Sequence, residues 1–247
     1  MNSVYTFPRG CQALLYSGSL CGIMPLISKT ERIKNVTKTI LFDLDGTLTD
    51  SGAGIMNCAV EALNHFGLPV PDVSILRTIV GPPLDDSLIR LGLDPKDVDE
   101  GITVFRKRYT AVGKFENVPY PGIHSLLEKL KAQGHTLYVA TSKPEIMAVE
   151  IMEHFDLAKY FDSICGATLD KSRASKSAVI AYLMEKNGRA DNMVMVGDTA
   201  YDVLGAAEHR IPTIGVTWGY GEEADMVNAG AAAIAHSMDE LFTLLNP

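Results

Sequence analysis

From Lys38 onward, short apolar runs alternate with longer segments in which apolar positions recur every three or four residues. Runs of the first kind suit strands buried on both faces, and the longer segments suit helices that cover them. The alternation therefore predicts a parallel sheet with crossover helices. Strands are expected over residues 39–44, 136–141, 161–165, 193–197, 212–217 and 231–235. The helices between them are clearly punctuated. Residues 122–133 bring Ile123, Leu126, Leu127 and Leu130 onto one face, and Gly134 can supply the positive φ of a carboxyl-terminal cap. Pro144 suits the first turn of the next helix, where its missing N–H is not needed, and that helix buries Met147, Ile151 and Phe155.

One interval, residues 52–120, breaks the alternation and holds no convincing strand. Ile55, Ala59, Ala62, Leu63 and Phe66 share one helical face, and Val98, Ile102, Phe105, Tyr109 and Val112 share another. Asp94 before Pro95 is a start signal for the second helix, and Gly81-Pro82-Pro83 marks a turn inside the interval. The expected organisation is a sheet-bearing core of residues 38–51 and 121–247, interrupted by an all-α subdomain of residues 52–120. Residues 1–37 lie outside that pattern. No charged residue occurs from Cys11 to Ile27, yet Ser17, Gly18, Ser19, Gly22 and Pro25 interrupt the apolar core that a signal peptide needs. The segment reads as an unstructured extension, or as a mis-assigned start with translation beginning near Val36.

Composition narrows the possibilities. With 47% hydrophobic and 21% charged residues the chain can bury a core of ordinary size, which excludes a disordered or collagen-like protein. A net charge of −8 offers no general attraction to nucleic acid or anionic membrane, so neither is an expected partner and any anion site must be local. The four cysteines form no C-x-x-C pair, so the sequence signals neither zinc nor a disulfide framework, and a cytoplasmic setting is expected.

Four segments carry candidate chemistry. In Thr39-Ile-Leu-Phe-Asp-Leu-Asp-Gly46, Asp43 closes an apolar strand, Asp45 follows two residues on, and Gly46 permits a sharp turn. Ligands of open parallel sheets bind at that strand edge, although a strand cap followed by an Asp-Gly turn would look the same. In Val194-Met-Val-Gly-Asp198, another buried strand ends in an acid suited to a hard cation, with Asp202 one helical turn on; Asp198 as a simple helix cap is the alternative. Thr141 and Ser142 end a third strand beside a helix amino terminus, where a hydroxyl and free N–H groups suit an anion or merely a cap. Lys176 begins an amphipathic helix carrying Val179, Ile180 and Leu183; Lys143, Lys171 and Arg173 compete with it for a role beside the acids.

In this order, Asp43-Leu44-Asp45-Gly46-Thr47, Thr141-Ser142, Lys176 and Gly197-Asp198 with Asp202 resemble the haloacid dehalogenase superfamily of phosphatases, and the resemblance runs from Lys38 to the end. It implies an α/β fold, a doubly wound parallel sheet with a helical cap inserted after the first motif. It also implies a magnesium-dependent phosphomonoester hydrolase. Asp43 would be the nucleophile and Asp45 the general acid and base. Mg²⁺ would sit on Asp43, the Asp45 carbonyl oxygen and Asp198, with Asp202 behind, while Gly46, Thr141, Ser142 and Lys176 hold the phosphate. The acid at position 45 favours phosphoester cleavage over dehalogenation, because an alkoxide needs a proton and a halide does not. Phosphotransfer to another acceptor stays open.

The return from the inserted helices resembles nucleotidase-like and phosphoglycolate phosphatase-like branches. A nucleoside monophosphate needs an apolar or aromatic surface, for which Phe105, Tyr109, Phe115 and Tyr120 are candidates. Phosphoglycolate needs a cation for its carboxylate, from Arg77, Arg90, Arg106, Arg108 or Lys114. Of the two, the 5'-nucleotidase is preferred. A non-catalytic receiver-like module that keeps phosphate on one aspartate is the alternative of another class, but it would need neither Asp45 nor the inserted helices.

Overall fold

A computed structural model describes residues 37–246. The expectation of an amino-terminal extension or late start lies outside these residues. In chain order the elements are β1 (Thr39–Phe42), β2 (Thr49–Asp50), α1 (Gly52–His65), α2 (Val73–Arg77), α3 (Leu84–Arg90), α4 (Val98–Ala111), β3 (Val118–Pro119), α5 (Ile123–Ala132), β4 (Thr136–Pro144) and α6 (Glu145–His154). They continue with β5 (Ser163–Ala167), α7 (Lys176–Asn187), β6 (Met193–Gly197), α8 (Ala200–Ala207), β7 (Thr213–Val216), α9 (Glu223–Asn228), β8 (Ala233–Ala235) and α10 (Met238–Leu245).

Six strands form one parallel sheet in the order β5-β4-β1-β6-β7-β8. The chain winds outward from β1 in both directions, the doubly wound arrangement whose reversal point opens a crevice at the carboxyl ends of the central strands. Strand alternation divides the core between the two faces. Ile40 and Phe42 of β1, with Val194 and Val196 of β6, pack under Leu126, Leu127 and Leu130 of α5 and Leu241 of α10. Leu41, Met193 and Met195 face the other way, against Val179, Ile180 and Leu183 of α7 and Ala206 of α8.

Between β2 and β3 the chain is helical and builds two apolar clusters of its own. Cys58, Ala59, Leu76, Ile79, Val80, Phe105 and Tyr109 form one; Ala62, Leu88, Leu93, Val98 and Ile102 form the other. Gly81, with φ at +106°, makes the turn between α2 and α3. Val112 departs from the expected pattern: α4 ends at Ala111, and Val112 is 49% exposed. A second departure matters more. The interval does contain a strand, the two-residue β3, which pairs antiparallel with β2, Thr49 against Pro119 and Asp50 against Val118. The chain thus leaves and re-enters the core through one short crossing. No described helix is long and apolar enough to cross a membrane.

Candidate active site

Asp43 is the first residue beyond β1, and its N–H donates to Val196 O at 2.9 Å, so the β1–β6 ladder delivers it beside the end of β6. Asp198 follows β6 directly, and Asp202 lies in the first turn of α8. One carboxylate oxygen from each of Asp43, Asp198 and Asp202 lies within 4.8 Å of the other two. Asp198 and Asp202 are fully buried and Asp43 is 9% exposed. The acids read from two separate segments therefore meet at one sheet edge.

Backbone without side chains makes room for them. Gly46 has φ at +82°, and a Cβ there would stand 2.1 Å from Asp198 Oδ2. Gly219, in the loop after β7, approaches the same oxygen so closely that its Cβ would lie 2.3 Å away. Asp198 is held by the Thr47 hydroxyl, which donates to Oδ1 at 3.0 Å, and by the Tyr220 N–H, which donates to Oδ2 at 2.9 Å. Asp202 Oδ2 accepts from the Thr199 N–H and hydroxyl in a capping box, which fixes both the start of α8 and the carboxylate.

Lys176 opens α7, and its Nζ lies 2.8 Å from both Asp43 Oδ1 and Asp202 Oδ1 while donating to Ala140 O at 2.9 Å. Burial works against its charge, but Asp202 and Asp43 outweigh burial and hold its pKa above the ordinary lysine value. The competing Lys171 reaches Asp85 at 2.8 Å, and Arg173 reaches Glu145 at 2.9 Å, so neither serves these acids. Thr141 is buried in β4 and its Oγ1 accepts from the Lys143 N–H at 3.2 Å, whereas Ser142 is exposed at the strand's end.

Lys143 is the residue the motifs under-weighted. Its Nζ donates to Asp45 Oδ2 at 2.5 Å and lies 5.0 Å from the centre of the Tyr109 ring, which α4 brings in from the helical segment. Burial opposes its charge, while Asp45 and Tyr109 hold its pKa above the usual value. Burial also pushes the Tyr109 phenol up to about 12, against the pull of Lys143. Asp45 Oδ1 is buried with no hydrogen-bond partner among the described residues. Strict strand alternation does not place Lys143, because the register of β4 on β5 shifts between Thr141 and Pro144.

Four carboxylates here face two ammonium groups. Asp45 has Lys143, and Asp43 and Asp202 share Lys176. Asp198 has a hydroxyl and an amide but no cationic partner among the described residues. Its carboxyl is pushed up to about 8, first by burial and then by Asp202 and Asp43. Asp43 rises to about 6, from burial and the charge of Asp202, against the pull of Lys176. An all-oxygen donor set with excess negative charge suits a hard divalent cation such as Mg²⁺.

Most of the side chains considered for substrate binding have other partners. Phe105 and Tyr109 stack at 5.8 Å inside the helical cluster, and Phe115 packs 4.4 Å from His154. Arg108 forms a two-point pair with Glu116 at 2.6 and 2.9 Å, and Lys114 pairs with Glu150. Arg90 donates to Thr78 O and Ser87 Oγ, and Arg106 lies in the field of Asp85. Arg77 is different. It lies 5.4 Å over the Tyr220 ring and donates to Gly219 O at 3.4 Å, at the rim of the acid cluster. Tyr120 lies in the same region, with burial and the charges of Asp50 and Asp198 raising its pKa.

Known proteins place the chain in a family. The family described as haloacid dehalogenase-like hydrolase matches residues 40–216. The 5'-nucleotidase of Pseudomonas aeruginosa is 41% identical over 189 residues, which cover 76% of this chain and 86% of the relative. A Mycobacterium tuberculosis protein named tyrosine-protein kinase PtkA is 43% identical over 206 residues, 82% of this chain and 70% of that one. The crystal structure of a predicted phosphatase from Clostridium acetobutylicum matches with a TM-score of 0.80 at 44% identity, covering 85% of this chain and 98% of the other.

Proposed function

The chain belongs to the haloacid dehalogenase-like hydrolase family and is a phosphatase; from that premise we propose that it is a magnesium-dependent 5'-nucleotidase working through an aspartyl-phosphate on Asp43. The observation that carries the reading is the pair of acids two residues apart on different lysines, Asp43 on Lys176, which Asp202 shares, and Asp45 on Lys143. The pairing gives the two carboxyls separate environments and so separate tasks.

In this mechanism Asp45 takes up a proton from solvent before the reaction; Asp43 then attacks phosphorus, the bond to the ester oxygen breaks, and Asp45 gives that departing oxygen its proton. Asp45, now a carboxylate, takes a proton from water as the water oxygen attacks phosphorus. Phosphate leaves and Asp43 is restored. Lys176 holds one Asp43 oxygen and leaves the other to react; with the Thr141 hydroxyl, the Ser142 amide and the Gly46 turn it also steadies the phosphoryl oxygens. Asp43, the Asp45 carbonyl oxygen and Asp198 would hold Mg²⁺, with Asp202 behind, and the cation would offset the repulsion between nucleophile and phosphate. Residues 52–120 act as a cap over the crevice in this reading, and the partner is a small phosphomonoester. Cys58 and Cys165 are buried free thiols, which fits a cytoplasmic setting.

Likeness to the Pseudomonas aeruginosa enzyme supports the nucleotide. Arg77 supports a second reading, phosphoglycolate, because it is a cation at the rim of the acid cluster. The test is catalytic efficiency on nucleoside monophosphates, phosphoglycolate and an aryl phosphate, with and without Mg²⁺, for the native chain and Asp43→Asn. Metal-dependent release of phosphate from nucleotides, lost in Asp43→Asn, is expected. Preference for phosphoglycolate would move the substrate assignment to Arg77. Phosphoryl transfer to a tyrosine peptide without phosphate release would overturn the hydrolase.

A further inference from the structure

The loop between β7 and α9 binds the acid cluster on one side and the two-stranded crossing on the other. Trp218 Nε1 donates to Thr47 O at 3.1 Å, beside the hydroxyl that Thr47 gives to Asp198. The Tyr220 N–H donates to Asp198 Oδ2 at 2.9 Å. From the same residue, the phenol reaches away from the acids. It donates to Asp50 Oδ1 at 2.5 Å and accepts from the Gly52 N–H at 2.7 Å. Asp50 is the last residue of β2 and Gly52 the first of α1, so the phenol bridges the point where the chain enters the helical segment. Arg77 of α2 covers the Tyr220 ring at 5.4 Å.

The loop has little slack. A Cβ at Gly219 would stand 2.3 Å from Asp198 Oδ2, and one at Gly221 would stand 2.1 Å from Asp198 O. The backbone of the loop therefore lies against Asp198 on both sides of Tyr220. A shift of the phenol has to be taken up by the Tyr220 amide, and the amide holds a carboxylate oxygen that Asp198 would offer to a cation.

We propose that Tyr220 is a positioning residue that couples the β2–α1 crossing to the Asp198 carboxylate, so that the hydrogen bonds at Asp50 and Gly52 set the affinity of the cation site. The inference rests on the metal assignment made above. It gives the crossing a role in cation binding besides that of joining the helical segment to the sheet. Coupling of this kind is reciprocal: a cation bound at Asp198 strengthens the bonds at the crossing by the same factor.

The test is Mg²⁺ binding by calorimetry on the full chain without substrate, together with the Mg²⁺-induced rise in Tm. Tyr220→Phe removes the hydroxyl but keeps the ring that Arg77 covers and a backbone N–H that can still donate to Asp198. Its Mg²⁺ dissociation constant is expected to rise by roughly three- to tenfold, the scale of one or two lost hydrogen bonds, and its Mg²⁺-dependent gain in Tm to shrink. Asp50→Ala should do the same, the double variant should be little worse than either, and Asp50→Asn, which keeps an acceptor for the phenol, should bind close to the native chain. A lower Tm in Tyr220→Phe with the native Mg²⁺ constant would show a hinge staple only and overturn the coupling. Additive losses in the double variant would overturn it as well. A native chain that binds no Mg²⁺ would instead remove the metal assignment, and the coupling with it.

Discussion

Asp198→Asn separates the charge of the proposed cation ligand from its shape. The amide can still accept from the Tyr220 N–H through its oxygen, and its NH₂ can donate to Thr47 Oγ1, so both bonds of the native side chain survive. The buried negative charge does not. In the native fold the Asp198 carboxyl sits at about 8 against an ordinary 3.8. Folding therefore takes up a proton between those values, and without metal the stability of the native chain falls as pH rises through that window. The full shift corresponds to roughly 5 kcal/mol at pH 8. Relaxation and water entry reduce such buried-charge costs, leaving about 2–3 kcal/mol. In EDTA at pH 8, Asp198→Asn should then melt higher than the native chain by roughly 4–12 °C. The gap should narrow as pH falls from 8 toward 4. Added Mg²⁺ should raise the Tm of the native chain and leave that of the variant nearly unmoved. Thermal melts across pH in EDTA and in Mg²⁺ supply all the readings. A variant melting no higher than the native chain at pH 8 in EDTA, or gaining as much from Mg²⁺, would refute the charge-excess argument.

Two further substitutions examine the lysines. Lys176→Met leaves Asp43 and Asp202 without their shared cation in a buried site, and should cost about 3–5 kcal/mol by urea denaturation; a loss under 1 kcal/mol would show that the pairing is energetically idle. Lys143→Met takes the ammonium from Asp45 and should lower kcat by tenfold or more with a smaller change in KM. A change confined to KM would place Lys143 in substrate binding alone.

Strand pattern and strand ends made much of the molecule legible. Ile40, Leu41 and Phe42 alternate between the two faces as their spacing predicts, and Asp43 and Asp198 stand one residue past adjacent strands, where acidity and position point to the same chemistry. The β2–β3 ladder was not legible, because two residues per strand carry no period to detect. Element edges moved for local reasons. The fifth strand begins at Ser163 rather than residue 161, since the Phe161 N–H closes a short turn by donating to Ala158 O. The aromatic and cationic residues of the helical segment show the limit of composition. Phe105, Arg108 and Lys114 have the right chemistry for a substrate but are spent on packing and ion pairs. Tyr220 left no trace at all, because its bond to Asp198 comes from a backbone amide that any residue but proline possesses.

The walls that seat Asp198 are made of missing atoms. Gly46, Gly219 and Gly221 contribute no side-chain group, yet none has space for even a methyl carbon beside that aspartate. Responsibility for the acid is thus spread over neighbours with nothing to protonate, ligate or donate from a side chain. Damage at those glycines would appear as lost chemistry in a protein whose every reactive group is intact.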